Sequence, residues 1–335
     1  MRHRDIAAWN ALISALATGA KPDEAIQMFD RMEREGFTPN AMSFLGSLSA
    51  CAQLGAFREG ERLHRYIKRE QLDTNVHVCN ALIDMYAKCG YVEHACKVFD
   101  EMKCEPSTIT WSTMMMAFAM DGDGARALAL LKRMENEKAQ PDSVTFLGVL
   151  SACNHGGLVE EGTRVFHSME QRFNVTPNIK HYGTLVDLLG RAGRLKDAYR
   201  TVLKIPLKPD LVIWQTLLGA CRTHGDVPMA EAVSRKLTQM GARNCGDFVL
   251  LSHVYAARSR WTDVGKVRET MKQEDVRKLP GVSYIEEGNM VHMFYNGDTS
   301  HVRWKEIEGK LKEITAKIKE YGYVPETGLL LECLA

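Results

Sequence analysis

Two stretches of this chain are almost the same. Residues 44–51 read Phe-Leu-Gly-Ser-Leu-Ser-Ala-Cys and residues 146–153 read Phe-Leu-Gly-Val-Leu-Ser-Ala-Cys, 102 positions later. Trp9, Trp111 and Trp214 repeat at nearly the same interval, 102 and then 103 residues apart. Self-similarity at a fixed offset is the mark of a repeat array, which restricts the fold more than any local propensity does.

The interval subdivides into three. A small residue inside an apolar helical pattern recurs as Ala25, Gly60, Ala95, Ala127, Gly162, Ala198 and Ala230, at gaps of 35, 35, 32, 35, 36 and 32 residues. A glycine precedes most of these by about five positions, as Gly55, Gly90, Gly122, Gly157, Gly193 and Gly225, with Gly19 one place early. An apolar face that ends in glycine and restarts is a helix closed by a left-handed residue and followed by a second helix. Each repeat is therefore predicted to be a helical hairpin, with the small residue letting its second helix pack closely on the first. One hairpin cannot bury both faces, so neighbours must stack. The expected fold is all-α, a right-handed solenoid of hairpins. Phe29, Phe99, Phe166, Leu63, Val98 and Val165 fall at core spacing.

Composition narrows the function classes. The 335 residues are 45% hydrophobic, and 43 basic against 42 acidic side chains give a net charge of +1. A protein held to nucleic acid mainly through phosphates normally carries a basic surface, so this balance argues against that mode and leaves base-edge reading open. No apolar run reaches the roughly 18 residues of a membrane span, and no membrane partner is expected. The nine cysteines contain no Cys-x-x-Cys and the histidines no His-x-Glu, so neither a disulfide framework nor a familiar zinc site is expected. Cys51, Cys153 and Cys221 share one repeat position and read as small packing residues. Residues 1–5 are not a targeting peptide. They match the tail of a short repeat, as at residues 100–106, and imply repeats upstream.

The repeat grammar identifies a family resemblance. Long and standard repeats end in Pro39-Asn40, Pro141-Asp142 and Pro177-Asn178, and a short one in Pro209-Asp210. Repeats open with an apolar stretch, an aromatic and a polar residue, as in Ala8-Trp9-Asn10 and Thr110-Trp111-Ser112. Residues 80–90 (Asn-Ala-Leu-Ile-Asp-Met-Tyr-Ala-Lys-Cys-Gly) and 186–194 (Val-Asp-Leu-Leu-Gly-Arg-Ala-Gly-Arg) complete a pattern that resembles the pentatricopeptide repeat family. Its plant-type class alternates standard, long and short repeats. On that pattern the array runs 6–40, 41–75, 76–107, 108–142, 143–178 and 179–210, after a residual tail at 1–5. Two degenerate hairpins spanning 211–278 resemble the E-type extension of organellar RNA editing factors, with Ser259 where a helix-closing glycine is expected and a looser turn foreseen. Residues 279–335 resemble a Pro-Gly box and the opening of a cytidine deaminase-like domain: a β-hairpin turning at Gly288-Asn289 and a helix over about 302–321 with Ile307, Leu311, Ile314 and Ile318 on one face. Deaminase chemistry needs a zinc-bound water and a glutamate, and the chain shows no motif for either. No enzyme activity, cofactor, metal or small-molecule substrate is expected.

The resemblance implies single-stranded RNA read one base per repeat. In the family the fifth and last residues of a repeat face the base edge. Asn10 with Asn40 then favours a pyrimidine, Asn80 with Ser107 favours C, Ser112 with Asp142 favours G, and Gly183 with Asp210 matches no strong pair. Long repeats carry Leu45 with Asn75 and Leu147 with Asn178, and should not read bases by this rule. Ala7, His77, Ile109 and Val144 would flank the bases. The same polar residues also suit local roles, Asn10 and Ser112 as caps and Asn40 and Asp142 in turns after proline. Their recurrence as pairs at one register favours base reading. Each good base contact discriminates by about 1–3 kcal/mol, so three readable repeats need a longer reader or a partner to select one site.

The expected function is that of a specificity factor for C-to-U editing in a mitochondrion or chloroplast, with single-stranded organellar RNA and a trans-acting deaminase or other editing protein as partners. The rivals are an RNA splicing or stability factor, a protein-binding helical scaffold, and a non-functional fragment.

Overall fold

The computed structural model describes residues 5–324 apart from 20, 207, 242–243, 275, 277–281, 288–289 and 296. The chain divides into two compact units, one up to Ala220 and one from Cys221.

The first unit is a row of helical hairpins. They are α1 (Ile6–Thr18) with α2 (Pro22–Arg34), α3 (Ala41–Leu54) with α4 (Phe57–Arg69), α5 (Val76–Lys88) with α6 (Val92–Glu101), α7 (Thr108–Asp121) with α8 (Gly124–Asn136), α9 (Ser143–Gly156) with α10 (Val159–Phe173), and α11 (Ile179–Arg191) with α12 (Leu195–Lys204). The next first helix, α13, covers Leu211–His224. Helices α1, α3, α5, α7 and α9 each pack on their own second helix and on the first helix of the following hairpin, and α11 packs on α12. This is why the two kinds of helix differ in sequence. A helix covered on several sides is apolar nearly all round, whereas one with an open side carries a narrow stripe. Helix α7 buries Trp111, Met114, Met115, Ala117, Phe118 and Ala119, while α4 buries only Gly60, Leu63 and Ile67.

The helix ends follow from the punctuation in the sequence. Gly55, Gly90, Gly122, Gly157, Gly193 and Gly225 all take φ between 63° and 81°, the left-handed region that closes a helix. Gly19 does not: its φ is −84°. The small residues act differently from expectation at two places. A Cβ on Gly60 would run into the Met85 side chain of α5, and one on Gly162 would lie 2.5 Å from Leu188 of α11 and 3.1 Å from Cys153 of α9. The missing side chain therefore admits the next hairpin as well as the helix of its own. Polar ties complete the stacking. Gln53 donates to the carbonyl of Ala17 at 2.8 Å at the end of α1, and His155 meets that of Ala119, which also accepts from Gly122 N–H, at 2.7 Å. On the second helices, Arg126–Glu93, Arg133–Asp100 and Arg194–Glu160 pairs, each at 2.7 Å, link successive hairpins.

His64 of α4 lies against the Tyr86 hydroxyl at 2.8 Å. Burial pushes the Tyr86 phenol up to about 12, so it keeps its proton and donates, and burial lowers His64 to about 4 from an ordinary 6.5. Above pH 6.5 the half-buried imidazole is neutral in the folded and unfolded chain alike, and the fold keeps its full stability. As pH falls from 6.5 towards 4 the unfolded chain takes the proton first, and that stability is lost. With the partial exposure of the ring discounted, the loss is on the order of 1–2 kcal/mol. Thermal melts at pH 7 and pH 4.5 should show this drop in the natural chain and a smaller one in His64→Gln.

The second unit continues with α14 (Val227–Gln239), α15 (Cys245–Ala256) and α16 (Trp261–Gln273) around a core of Ala230, Val233, Val254, Val264 and Val267. The turn after α15 is not loose. Ser259 adopts the left-handed conformation itself, φ 55°, and Arg260 N–H closes on the Tyr255 carbonyl at 2.9 Å as glycine-containing turns do. A serine there carries backbone strain that glycine lacks. Ser259→Gly should therefore raise the unfolding free energy by about 0.5–1 kcal/mol, net of the extra entropy of an unfolded glycine, as read from urea midpoints. Strands β1 (Val282–Glu287) and β2 (Met290–Tyr295) pair antiparallel with Val282 opposite Tyr295. The foreseen turn at Gly288-Asn289, the Pro-Gly box at 280–281 and the tail at 1–4 lie outside the described residues. Helix α17 (Trp304–Glu320) buries none of its residues, and Leu311, Ile314 and Ile318 are about half exposed. No helix among the described residues is long and apolar enough to cross a membrane.

Candidate functional site

The last residue of each predicted repeat sits immediately before a first helix, with a side chain that can accept from the open N–H groups of the next turn, and Asn40, Asn75, Ser107, Asp142 and Asn178 are in extended conformation. Asn40 Oδ1 accepts from the N–H groups of Met42 and Ser43, at 3.1 and 3.2 Å. Asp142 Oδ1 accepts from Thr145 N–H at 2.8 Å and Asp210 Oδ1 from Ile213 N–H at 3.0 Å. Ser107 and Asn75 cap α7 and α5 in the same way. The fifth residue of each repeat lies one helical turn further along the preceding first helix, so the two converge across a junction between hairpins.

Two of the four predicted pairs are in contact. Asn10 Nδ2 donates to Asn40 Oδ1 at 3.0 Å. Ser112 Oγ lies 3.5 Å from Asp142 Oδ1. A buried hydroxyl from the third residue of the next repeat joins each pair: Ser43 donates to Asn10 Oδ1 at 2.6 Å, and Thr145 Oγ1 lies 2.9 Å from Ser112 Oγ and donates to Asp142 Oδ1 at 2.8 Å. Asn80 and Ser107 are not joined. Thr110 takes up Ser107, at 3.0 Å, and Asn80 Oδ1 is buried without a partner. Gly183 offers no side chain beside Asp210.

The caps dictate what each junction presents to the outside. With Oδ1 of Asn40 turned inward, its Nδ2 is left as a donor, whereas Asp142 leaves a second carboxylate oxygen as an acceptor. Asn40 and Asp142 are exposed, Asn10 is half-buried, and Ser112 is only 4% exposed. Ser112 thus lies beneath Asp142 rather than beside it.

Of the predicted flanking residues, Ala7 and His77 are exposed, and Ile109 and Val144 are 61% and 52% exposed although apolar. Met42 and Val212 occupy the same second position and are equally open, at 59% and 64%. They belong to the same row and were not singled out from the sequence, although their register gives them away. Between α9 and α11, His181 accepts from Asn178 N–H through Nδ1 at 3.1 Å and meets the Ser143 carbonyl through Nε2 at 2.8 Å. A carbonyl only accepts, so Nε2 carries the proton and the ring is neutral; burial lowers its pKa in the same direction. Burial pushes the Cys51, Cys153 and Cys221 thiols up to about 12, which makes them packing groups and not nucleophiles. No cluster of three metal-ligating side chains occurs among the described residues. The row of capped junctions is the feature with chemistry to offer.

The array has counterparts among known proteins. A family model described as "PPR repeat family" matches residues 4–53 and 106–155, one described as "PPR repeat" matches 77–106 and 144–172, and one described as "E motif" matches 224–286. The mitochondrial pentatricopeptide repeat-containing protein OGR1 of Oryza sativa subsp. japonica is 48% identical over 340 residues, covering 99% of this chain and 57% of its own length. The chloroplastic pentatricopeptide repeat-containing protein ELI1 of Arabidopsis thaliana is 41% identical over 312 residues, covering 92% of this chain and 49% of its own. The chain thus spans about half the length of the curated relatives it matches. Among solved structures, the pentatricopeptide repeat protein PPR10 in complex with an 18-nt psaJ RNA element shares the fold, with a TM-score of 0.69 at 21% identity over 83% of this chain and 41% of that one. The hairpin array, the repeat and E-motif matches and the near full-length likeness of these relatives agree: the chain belongs to the pentatricopeptide repeat family.

Proposed function

We propose that this chain is a sequence-specific single-stranded RNA-binding protein of mitochondria or chloroplasts, acting as a specificity factor for C-to-U editing and recruiting a deaminase in trans. The observation that carries RNA reading is the pair of joined junctions, Asn10–Asn40 and Ser112–Asp142, at one register of the array. Their outward atoms differ in hydrogen-bond polarity. A donating Asn40 suits the bare ring nitrogen or carbonyl of a pyrimidine, and an accepting Asp142 suits the ring N–H of guanine. Exposed Ile109 and Val144 stand one turn away, where an apolar side chain can lie against a base. Arginines such as Arg126, Arg133 and Arg194 are engaged with carboxylates on the second helices, in keeping with a reader that relies little on phosphates.

Editing is supported by the E motif at 224–286, directly after the array. Localisation is supported by relatives whose names carry both organelles. The test is sequencing of organellar transcripts from a knockout. Loss of conversion at a small set of cytidines, restored by the transgene, is the expected result. Unchanged editing at every site would refute the editing role, and a splicing or transcript-end defect in its place would assign the chain to RNA processing.

A further inference from the structure

We infer that Ser43 and Thr145 set which base their junctions accept, although neither belongs to the pair that faces the base. This rests on the base reading proposed above and deepens it. Both side chains are fully buried, at 0% exposure, so they are positioning residues that act through their neighbours.

An asparagine amide can turn by half a revolution with almost no change of shape, exchanging a donor for an acceptor at the base edge. The Asn10–Asn40 junction prevents this exchange. Ser43 Oγ accepts from Asn40 N–H at 3.2 Å and has two acceptors for its proton, of which Asn10 Oδ1 at 2.6 Å is much nearer than Asn40 Oδ1 at 3.3 Å. Asn10 must then send an N–H to Asn40 Oδ1, at 3.0 Å, which the caps already hold inward. Turning Asn10 over would replace the 2.6 Å bond from buried Ser43 with a longer one to Asn40 and set the Asn10 oxygen against Asn40 Oδ1, which the cap N–H groups hold in place. Both amides therefore show N–H outward. Thr145 acts on a carboxylate, whose two oxygens both accept, so it fixes the position of the acceptor and not its polarity: it accepts from Asp142 N–H at 3.2 Å, donates to Oδ1 at 2.8 Å and holds Ser112 at 2.9 Å, and Oδ2 is the oxygen left for the base.

The other junctions lack this three-way contact. Val78 and Ile213 occupy the equivalent third position with no polar atom. His181 bonds the backbone of Asn178 and Ser143 and has only Leu147 as the fifth residue of the repeat before it. Thr110 bonds Ser107 and leaves Asn80 Oδ1 without a partner, so that amide is not held in one orientation. The two latched junctions belong to the two standard repeats, and the inference makes these the selective ones and the Asn80 junction tolerant.

The test is sequence enrichment from a pool of randomised 10-nucleotide RNAs bound to the 335-residue chain, comparing the natural protein with Ser43→Ala and Ser43→Thr. Ser43→Ala is expected to lower the preference for pyrimidine over purine at one nucleotide by about fivefold, the equivalent of one hydrogen bond, while preferences elsewhere in the site hold. Ser43→Thr, which keeps the hydroxyl, is expected to keep the preference. A hydroxyl with a merely structural role would lower the melting temperature and leave this ratio unmoved. If the natural chain prefers a pyrimidine and Ser43→Ala prefers it equally, the latch is refuted and base reading stands. If the natural chain shows no preference at any nucleotide, base reading fails and the latch with it. Should Ser43→Ala not fold, as judged by circular dichroism, the comparison of Ser43→Val with Ser43→Thr, alike in shape and different only in the hydroxyl, decides the matter at the same nucleotide.

Discussion

Trp111→Ala is expected to lower the stability of the array by about 3–5 kcal/mol, the range for emptying a buried aromatic site. Trp111 is 1% exposed. Its ring meets Phe99 of α6 edge-on at 5.0 Å, and the guanidinium of Arg133 on α8 stands 5.7 Å above it. Arg133 in turn pairs with Asp100 of α6 at 2.7 Å. The side chain thus roots the third hairpin on the fourth. In a solenoid, stability is a sum of hairpin terms and nearest-neighbour interfaces, so the loss should fall at one junction and not melt the whole row evenly. Urea titration followed by circular dichroism should show an earlier, broader transition in Trp111→Ala, and Trp111→Phe, which keeps a ring in the site, should lose less. A change below 1 kcal/mol for the alanine variant would mean that this interface does not carry the array.

The second large effect concerns selectivity. The double variant Ser112→Asn, Asp142→Asn should convert the fourth junction into a copy of the first and move its preference from guanine to a pyrimidine. The conversion is plausible chemically because the surroundings already match. Thr145 offers a hydroxyl where Ser43 does, and both caps use the same Oδ1. Replacing an outward carboxylate oxygen with an amide N–H reverses the hydrogen bond offered, so the ring N–H of guanine is repelled where it was accepted. With about 1–3 kcal/mol at stake for one base contact, the ratio of guanine to pyrimidine should shift by at least about tenfold, read from competition binding of oligonucleotides that differ at one position. An unchanged ratio would place the reading atoms elsewhere.

The architecture was legible in the sequence because a repeat states its own register. Small residues and glycines recur at intervals of 32–36 positions, and the first helices begin at Ile6, Ala41, Val76, Thr108, Ser143 and Ile179. The site was legible in part. Spacing tells which residues meet across a junction, which is why Asn10 finds Asn40. It says nothing about depth: Ser112 is a residue short enough to be covered by its own partner, and it is buried. The roles of Ser43 and Thr145 stayed hidden because each belongs to the repeat after the pair it holds. A trace was present, in the spacing of Asn40 to Ser43 and of Asp142 to Thr145, which is that of a capping box. Ser259 shows the converse case. The chain keeps the left-handed turn without glycine because the hydrogen bonds around it outweigh the strain of one residue, a balance that residue identity alone does not display.

The most direct measurement is selection of bound sequences from a randomised single-stranded RNA pool by the natural chain at moderate salt. One base per repeat, read from 5′ to 3′ along the array, predicts enrichment of a pyrimidine, then any base, then a weaker C, then G, from the junctions Asn10–Asn40, Leu45–Asn75, Asn80–Ser107 and Ser112–Asp142 in turn. A motif with its strongest positions at the first and fourth of these nucleotides supports the account. A flat profile, or strong positions at any other spacing, contradicts it.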